Sequence, residues 1–246
     1  MLKRVRSGGD AFGKALIDFH NTGEETISII RRVEDNNVDE MPSSPYFRAF
    51  DEWDPLDRAL SAWMEGRVLD IGMGAGRLSL HLQGKGHDVV GVDLSPGALE
   101  VSSARGVRDV RQLDILDGIL DGEKFRTIAL FGHNLGIAGF HENVGSFLEL
   151  LSRMLTPGGR IVGTQINWDR TDKPEHLGFQ EANRRAGRHP VDMTLRIEYG
   201  GIEETFSWCL TNQTELVEIA KSVGLAIEAI IDCGGMYSYV LRLPES

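Results

Sequence analysis

The chain has 246 residues, 41% of them hydrophobic, and sets 26 Lys and Arg against 37 Asp and Glu for a formal net charge of −11. That is enough apolar content for one full α/β core, and no apolar run nears the roughly twenty residues of a membrane helix, so no membrane partner is expected. The acidic balance, relieved only by short clusters such as Arg184-Arg185 with Arg188, argues against a polynucleotide substrate and hence against a nucleic-acid partner. Lys3, Arg4 and Arg6 precede no apolar segment of the secretory kind, so a cytoplasmic protein is expected, as a monomer or homodimer. Cys209 and Cys233 are too few for a disulfide framework and form no Cys-x-x-Cys pair; both are expected to be buried small hydrophobes, and no metal is expected.

Residues 1–45 differ from the rest. Phe12, Leu16, Ile17 and Phe19 give a short helical stripe, and the acidic stretch Glu34-Asp35-Asn36-Asn37 follows, which predicts a short helix and a mobile connection acting as a lid. Asp54-Pro55 opens a helix with an N-cap and a proline at its first position, and Leu56, Leu60, Trp63 and Met64 form its inward face. Short apolar strands are predicted at Arg67–Ile71, Asp88–Val92, Asp109–Gln112, Thr127–Phe131 and Arg160–Thr164, with helical segments between them, which is the alternation of a doubly wound parallel α/β sheet. Ser95-Pro96 starts one of those helices and Gly106 can stop it; Val144, Phe147, Leu148, Leu151 and Met154 recur at helical spacing in another, before the turn Thr156-Pro157-Gly158-Gly159. A last helix spans about 214–223, and Leu225–Ile231 with Met236–Leu241 reads as a closing hairpin across Asp232-Cys233-Gly234-Gly235. Residues 167–210 do not fit the minimal sheet: 167–190 are polar, and Thr194–Tyr199 with Ile202–Trp208 form a hairpin across Gly200-Gly201.

The most informative segment is Asp70-Ile71-Gly72-Met73-Gly74-Ala75-Gly76-Arg77, followed by Val89-Val90-Gly91-Val92-Asp93. A dinucleotide fingerprint needs Gly-x-Gly-x-x-Gly, but Arg77 holds the sixth position and Gly76 comes one residue early. An acid before the glycines would repel a pyrophosphate and suits a ligand carrying an ammonium group. The glycines admit close backbone approach, and Asp93 at the next strand end can accept hydrogen bonds from both hydroxyls of a ribose.

This pattern resembles motif I of the class I S-adenosylmethionine-dependent methyltransferases of small-molecule type. The resemblance implies a Rossmann-like, mostly parallel seven-stranded sheet with an antiparallel terminal strand, carried on residues 46–246, with 1–45 as a helical lid and 167–210 as an insertion over the substrate. It also implies S-adenosylmethionine as cofactor, leaving as S-adenosylhomocysteine. The implied cofactor residues are Tyr46, Asp70, Gly72, Gly74, Gly76, Asp93, Leu94, Asp114, Ile115 and Gly132, with Asp114 at the adenine amino group and Gly132 beside the methionine moiety. His133 and Asn134 follow Gly132 and are the candidate catalytic residues, His133 because an imidazole near neutrality can remove a proton. Glu181, Asn183, Arg184, Arg188, Tyr199 and Trp208 are the polar and aromatic residues of the insertion that could line an acceptor pocket, and Asn167 and Asp169 read as loop caps. No Asn/Asp-Pro-Pro-Tyr or Pro-Cys signature of base-modifying enzymes occurs, nor the Asp…Asp-Asn set of magnesium-dependent catechol enzymes. The expected activity is methyl transfer to an O or N atom of a small-molecule acceptor by in-line displacement. The alternatives are a non-catalytic S-adenosylmethionine-binding or scaffold protein and a nicotinamide-dependent oxidoreductase, the latter disfavoured by Arg77 and the terminal hairpin.

Overall fold

A computed structural model describes residues 2–118, 120 and 122–245. Along them run β1 (Arg6–Gly8), α1 (Ala11–Thr22), β2 (Ile27–Arg32), β3 (Val38–Pro42), α2 (Pro55–Ser61), β4 (Val68–Ile71), α3 (Arg77–Gly84), β5 (Val89–Asp93), α4 (Pro96–Ala104), β6 (Val110–Gln112), β7 (Phe125–Leu130), α5 (Val144–Ser152), β8 (Leu155–Ile166), α6 (Pro174–Arg185), β9 (Met193–Tyr199), β10 (Ile202–Trp208), α7 (Gln213–Ser222), β11 (Ala226–Asp232) and β12 (Met236–Arg242). No helix among the described residues is long and apolar enough to cross a membrane.

The strands sort into two sheets. The larger has the order β11-β12-β8-β7-β4-β5-β6. β6, β5, β4, β7 and β8 pair in parallel, and β12 runs antiparallel to both β8 and β11. β4 is buried throughout and β7 at all positions but Arg126, because helices cover both of their faces. On one face α5 and α7 bury Phe147, Leu148, Leu151 and Leu216, and on the other α2 and α3 bury Leu60, Leu78 and Leu82. From β4 the chain winds outward through β5 and β6, then returns to lay β7 on the other side of β4. The strand order reverses there, and a crevice opens at the carboxyl ends of β4 and β7. The caps read from sequence at Asp54 and Ser95 are present, Asp54 accepting from Leu56 N and Ser95 from Ala98 N, and α7 adds one that was not read, a reciprocal capping box of Asn212 with Glu215. Strand five is longer than expected. The Pro157-Gly158-Gly159 turn is an irregularity inside β8, where pairing jumps from Phe125↔Leu155 to Thr127↔Arg160.

The smaller sheet corrects the expected helical arm at the N-terminus, which contributes three strands besides α1. Its order is β1-β10-β9-β2-β3, antiparallel throughout, so residues 6–42 and 193–208 build one five-stranded cap. The acidic stretch read as a mobile connection is the turn of the β2–β3 hairpin, with Asn36 at φ +57°. Arg31–Glu198 and Arg196–Glu203 ion pairs run across its strands. The polar stretch 167–190 holds α6, which buries Phe179, Gln180 and Asn183.

α1 packs against α4 of the larger sheet's helical layers. Gly13 and Gly97 bring α1 and α4 so close that a Cβ at Gly97 would lie 2.6 Å from the Gly13 backbone. Asp10 joins the two helices: besides accepting from Gly13 N in its own first turn, its carboxylate accepts from Ser95 Oγ at 2.7 Å and Gly97 N at 2.8 Å. Cys209 is buried as expected, but Cys233 is exposed, because it sits at the tip of the β11–β12 hairpin where no layer covers it.

Candidate active site

A cavity of about 620 Å³ lies where the cap overhangs the crevice at the ends of β4, β5 and β7. Tyr46, Asp70, Gly72, Asp93, Leu94, Asp114, Ile115, Gly132, His133 and Asn134 all line it. Ten of the twelve residues picked from sequence therefore converge on one space. Gly74 and Gly76 do not line it, and their roles are to shape the loop. Gly76 caps α3 at φ +77°, and a Cβ there would stand 2.6 Å from Val107 Cγ2, so this glycine serves close helix packing. Gly74, also at positive φ, donates its N–H to Asp93 Oδ2 at 2.9 Å.

Asp70 ends β4 with only 2% of its surface exposed, and its Oδ2 accepts from Ser79 Oγ at 2.7 Å. Burial pushes its carboxyl up to about 6 despite that hydrogen bond and the nearby Arg77 guanidinium. Arg77 lines the same cavity, pairs with Asp57 and lies over the Trp53 ring at 4.9 Å. Asp93 accepts from Leu94 N at 2.7 Å and Ser95 N at 3.0 Å through Oδ1, and burial raises its pKa too. Three backbone donors hold the carboxylate in place and leave it further lone pairs. Asp114 accepts from Leu116 N through Oδ1 and from the Arg4 guanidinium through Oδ2 at 2.6 Å, so the segment leading into β1 is pinned beyond the end of β6.

The loop after β7 is unusual in conformation. Gly132 has φ +68°, and a Cβ there would enter open space, the nearest atom being Asn134 Oδ1 at 4.0 Å. His133 follows at φ +65°, a conformation that costs a non-glycine residue about 1–3 kcal/mol and is held by the surrounding structure. Its Nδ1 is buried without a hydrogen-bond partner, and burial lowers its pKa against the opposing pull of Asp57 and Asp54. Asn134 donates from Nδ2 to Ile71 O at 2.7 Å and Gly72 O at 3.0 Å. Its amide therefore supports the glycine loop, and only a glycine at 72 leaves room for it, since a Cβ there would lie 2.4 Å from Nδ2.

A second cavity of about 490 Å³ adjoins the first and shares Ile30, Ile166, Leu195, Trp208 and Leu210 with it. Trp168, Phe179, Val191 and Met193 extend its apolar wall, and Asn37, Asp39, Arg170, Asp172, Lys173 and His176 stand among its polar residues. Of the six insertion residues expected to line an acceptor pocket only Trp208 reaches these spaces, while Asn167, read as a loop cap, also borders the smaller one. Asn183 is buried, donating to the carbonyls of Pro190 and Asp192, while Tyr199 donates to Asp18 and Glu181 pairs with Arg185 on the surface of α6. Arg4, Phe12, Arg77 and Glu204 line the larger cavity without having been singled out as site residues. Glu204 accepts from Phe12 N at 3.1 Å, and burial pushes its carboxyl up to about 7. The alternation of β10 was legible, but not which of its faces meets the cavity.

The methyltransferase domain family matches residues 68–159. A solved S-adenosylmethionine-dependent methyltransferase from Bacteroides fragilis, in complex with S-adenosyl-L-homocysteine, is 26% identical over 96% of this chain and 95% of its own, with a TM-score of 0.81. Residues 68–159 thus match a methyltransferase domain, and the whole chain is similar in fold to a solved S-adenosylmethionine-dependent methyltransferase. Among curated relatives, the ubiquinone biosynthesis O-methyltransferase of Azorhizobium caulinodans is 35% identical over 106 residues, 41% of this chain and 40% of that protein. An uncharacterized methyltransferase of Mycobacterium tuberculosis is 28% identical over 72% of this chain and 67% of its own length. The chain thus spans less than half of the first of these relatives. The strand order is that of the family, and the antiparallel β12 separates it from the dinucleotide-binding oxidoreductases named as an alternative. The site fits the family's cofactor: Gly132 leaves open space, and the acids at the ends of β4, β5 and β6 border one cavity.

Proposed function

We propose that this methyltransferase moves a methyl group from S-adenosylmethionine to an O or N atom of a small, largely apolar acceptor held under the cap. The observation that supports this most is the continuity of the two cavities across Ile30, Ile166, Leu195, Trp208 and Leu210. One space has the acids and glycines suited to the cofactor, and the other has an apolar wall with a polar border suited to an acceptor.

In this reading Asp70 meets the cofactor's ammonium and Arg77 its carboxylate. Asp93 reads the ribose hydroxyls, Leu94 and Ile115 flank the adenine, and Asp114 accepts from its amino group. Tyr46, packed edge-on against Phe12 with ring centroids 5.1 Å apart, covers the methionine end. The cofactor supplies a sulfonium-bound methyl group that is already electrophilic, so the protein's main task is to align the acceptor lone pair. Gly132 keeps the larger cavity open where the methionine moiety would pass, and Asn134 positions the glycine loop rather than touching the acceptor. His133, kept neutral by burial, takes the proton from a hydroxyl or ammonium acceptor. The cap sheet covers the site and excludes water.

Incubation with methyl-labelled cofactor and a panel of small apolar alcohols, phenols and amines, read by intact mass, tests the proposal. A labelled product whose formation needs Asp93 supports it. Cofactor binding without transfer to any acceptor class would leave the scaffold reading standing instead.

A further inference from the structure

We propose that His141, His189 and Glu215 form a site for a divalent transition-metal ion of the zinc type, one that ties the cap insertion to the core and lies outside both cavities. The three residues come from separate parts of the chain: the turn before α5, the segment between α6 and β9, and the first turn of α7. One ligand atom from each lies within 4.8 Å of the other two. His189 Nε2 is 2.9 Å from Glu215 Oε1, and His141 Nε2 is 3.7 Å from Glu215 Oε2. His141 Nε2 is buried and has no hydrogen-bond partner, so a nitrogen that can act as a ligand faces the carboxylate unused.

The supporting contacts suit a ligand set. Glu215 Oε2 accepts from Trp168 Nε1 and from Asn212 N, both at 2.8 Å, which fixes the carboxylate with Oε1 toward His189. Asp192 Oδ1 accepts from His141 N at 2.7 Å and adds a second negative charge beside the pair of rings. Two imidazoles and one carboxylate match zinc and its neighbours rather than magnesium or calcium, which take oxygen ligands, and a fourth position stays open to water. The two rings lie stacked, 3.6 Å between centroids and 2° from parallel. One of them must tilt for both lone pairs to reach a single ion at about 2.0–2.1 Å. Trp168, which meets His189 edge-on and walls the smaller cavity, would feel that movement. The sequence expectation of no metal is revised accordingly.

The test uses the full chain carrying Cys233→Ser, so that the exposed thiol cannot bind the ion, stripped with chelator and titrated with zinc alone by calorimetry and by tryptophan fluorescence. One zinc ion per chain is expected, with a raised melting temperature. A tenfold or greater loss of affinity is expected in His189→Ala and in His141→Ala, while the melting temperature of each metal-free variant stays near that of the parent. Magnesium at the same concentration should give no signal. Equal zinc affinity in the parent and in a His141→Ala/His189→Ala double variant, or an unchanged melting temperature on adding zinc, overturns the proposal. Neither readout depends on methyl transfer, so the site can fail while the proposed activity stands.

Discussion

Replacing Asp70 by Asn should stabilise the unliganded protein near neutral pH while weakening its hold on the cofactor. The carboxyl is buried, its one side-chain hydrogen bond comes from Ser79, and its pKa is pushed up from 3.8 to about 6. A group whose folded pKa is raised contributes stability that is fully present below its unfolded value and is lost as pH rises through its folded value. For Asp70 that window runs from 3.8 to about 6. Above it the ionised carboxylate costs the fold about 3 kcal/mol, at about 1.4 kcal/mol per tenfold change. Asn keeps an acceptor for Ser79 and cannot ionise. Urea unfolding should therefore show the variant ahead by about 3 kcal/mol near pH 8 and by only about 1 kcal/mol near pH 4.5. Arg77 and Asp93, the charged groups that act on Asp70, are present in both proteins, and so is Glu204, whose own titration near 7 cancels in the difference. Calorimetry on the same samples should show cofactor binding weaker by about 1.5–3 kcal/mol, because the partner of the ammonium is gone. An Asp70→Asn variant no more stable than the parent at the higher pH would refute the view that the carboxylate is held at a cost for the sake of its ligand.

Asp93→Ala should weaken cofactor binding by about 1.5–3 kcal/mol in the same assay, since a charged acceptor of ribose hydroxyls is removed. Gly132→Val should abolish cofactor binding: its side chain enters the open cleft, and a branched residue is strained at φ +68°. Asn134→Ala frees the carbonyls of Ile71 and Gly72 and should lower cofactor affinity together with the stability of the loop, measured by amide exchange around Gly72–Gly76. His133→Ala should leave cofactor affinity nearly intact and lower turnover of a hydroxyl acceptor by about 10²–10⁴-fold, with a loss much smaller than that if the residue only orients the acceptor.

The larger sheet was readable because parallel strands covered on both faces are continuous apolar runs. Asp70, the glycines and Asp93 were readable because local spacing carries their chemistry. The cap was not. β3, with its Asp39 and Glu40, has no continuous apolar face to mark it, and β2 is stabilised by pairing with β9 far along the chain. Which side of β10 meets the cavity, and so the place of Glu204 and Trp208, depends on that same distant pairing. Arg4 gave no signal at all, because its partner Asp114 lies across the fold. Asn134 lines the cavity, but its hydrogen bonds to the backbone of the glycine loop depend on the two strand ends standing side by side.

The cap sheet is woven from the two ends of a long chain segment, and this sets the order in which the molecule can be made. β2 and β3 can form their hairpin early, but β1 needs β10 and β2 needs β9, so during synthesis the first forty residues wait until residue 208 has appeared. By then β4 to β8 are already available to form the crevice. The roof is the part with the most distant pairings, and closing so long a loop makes it the slowest to form. A nascent chain therefore has an interval in which its cofactor crevice is built but uncovered, and ligand present then could act as a template on which the roof assembles.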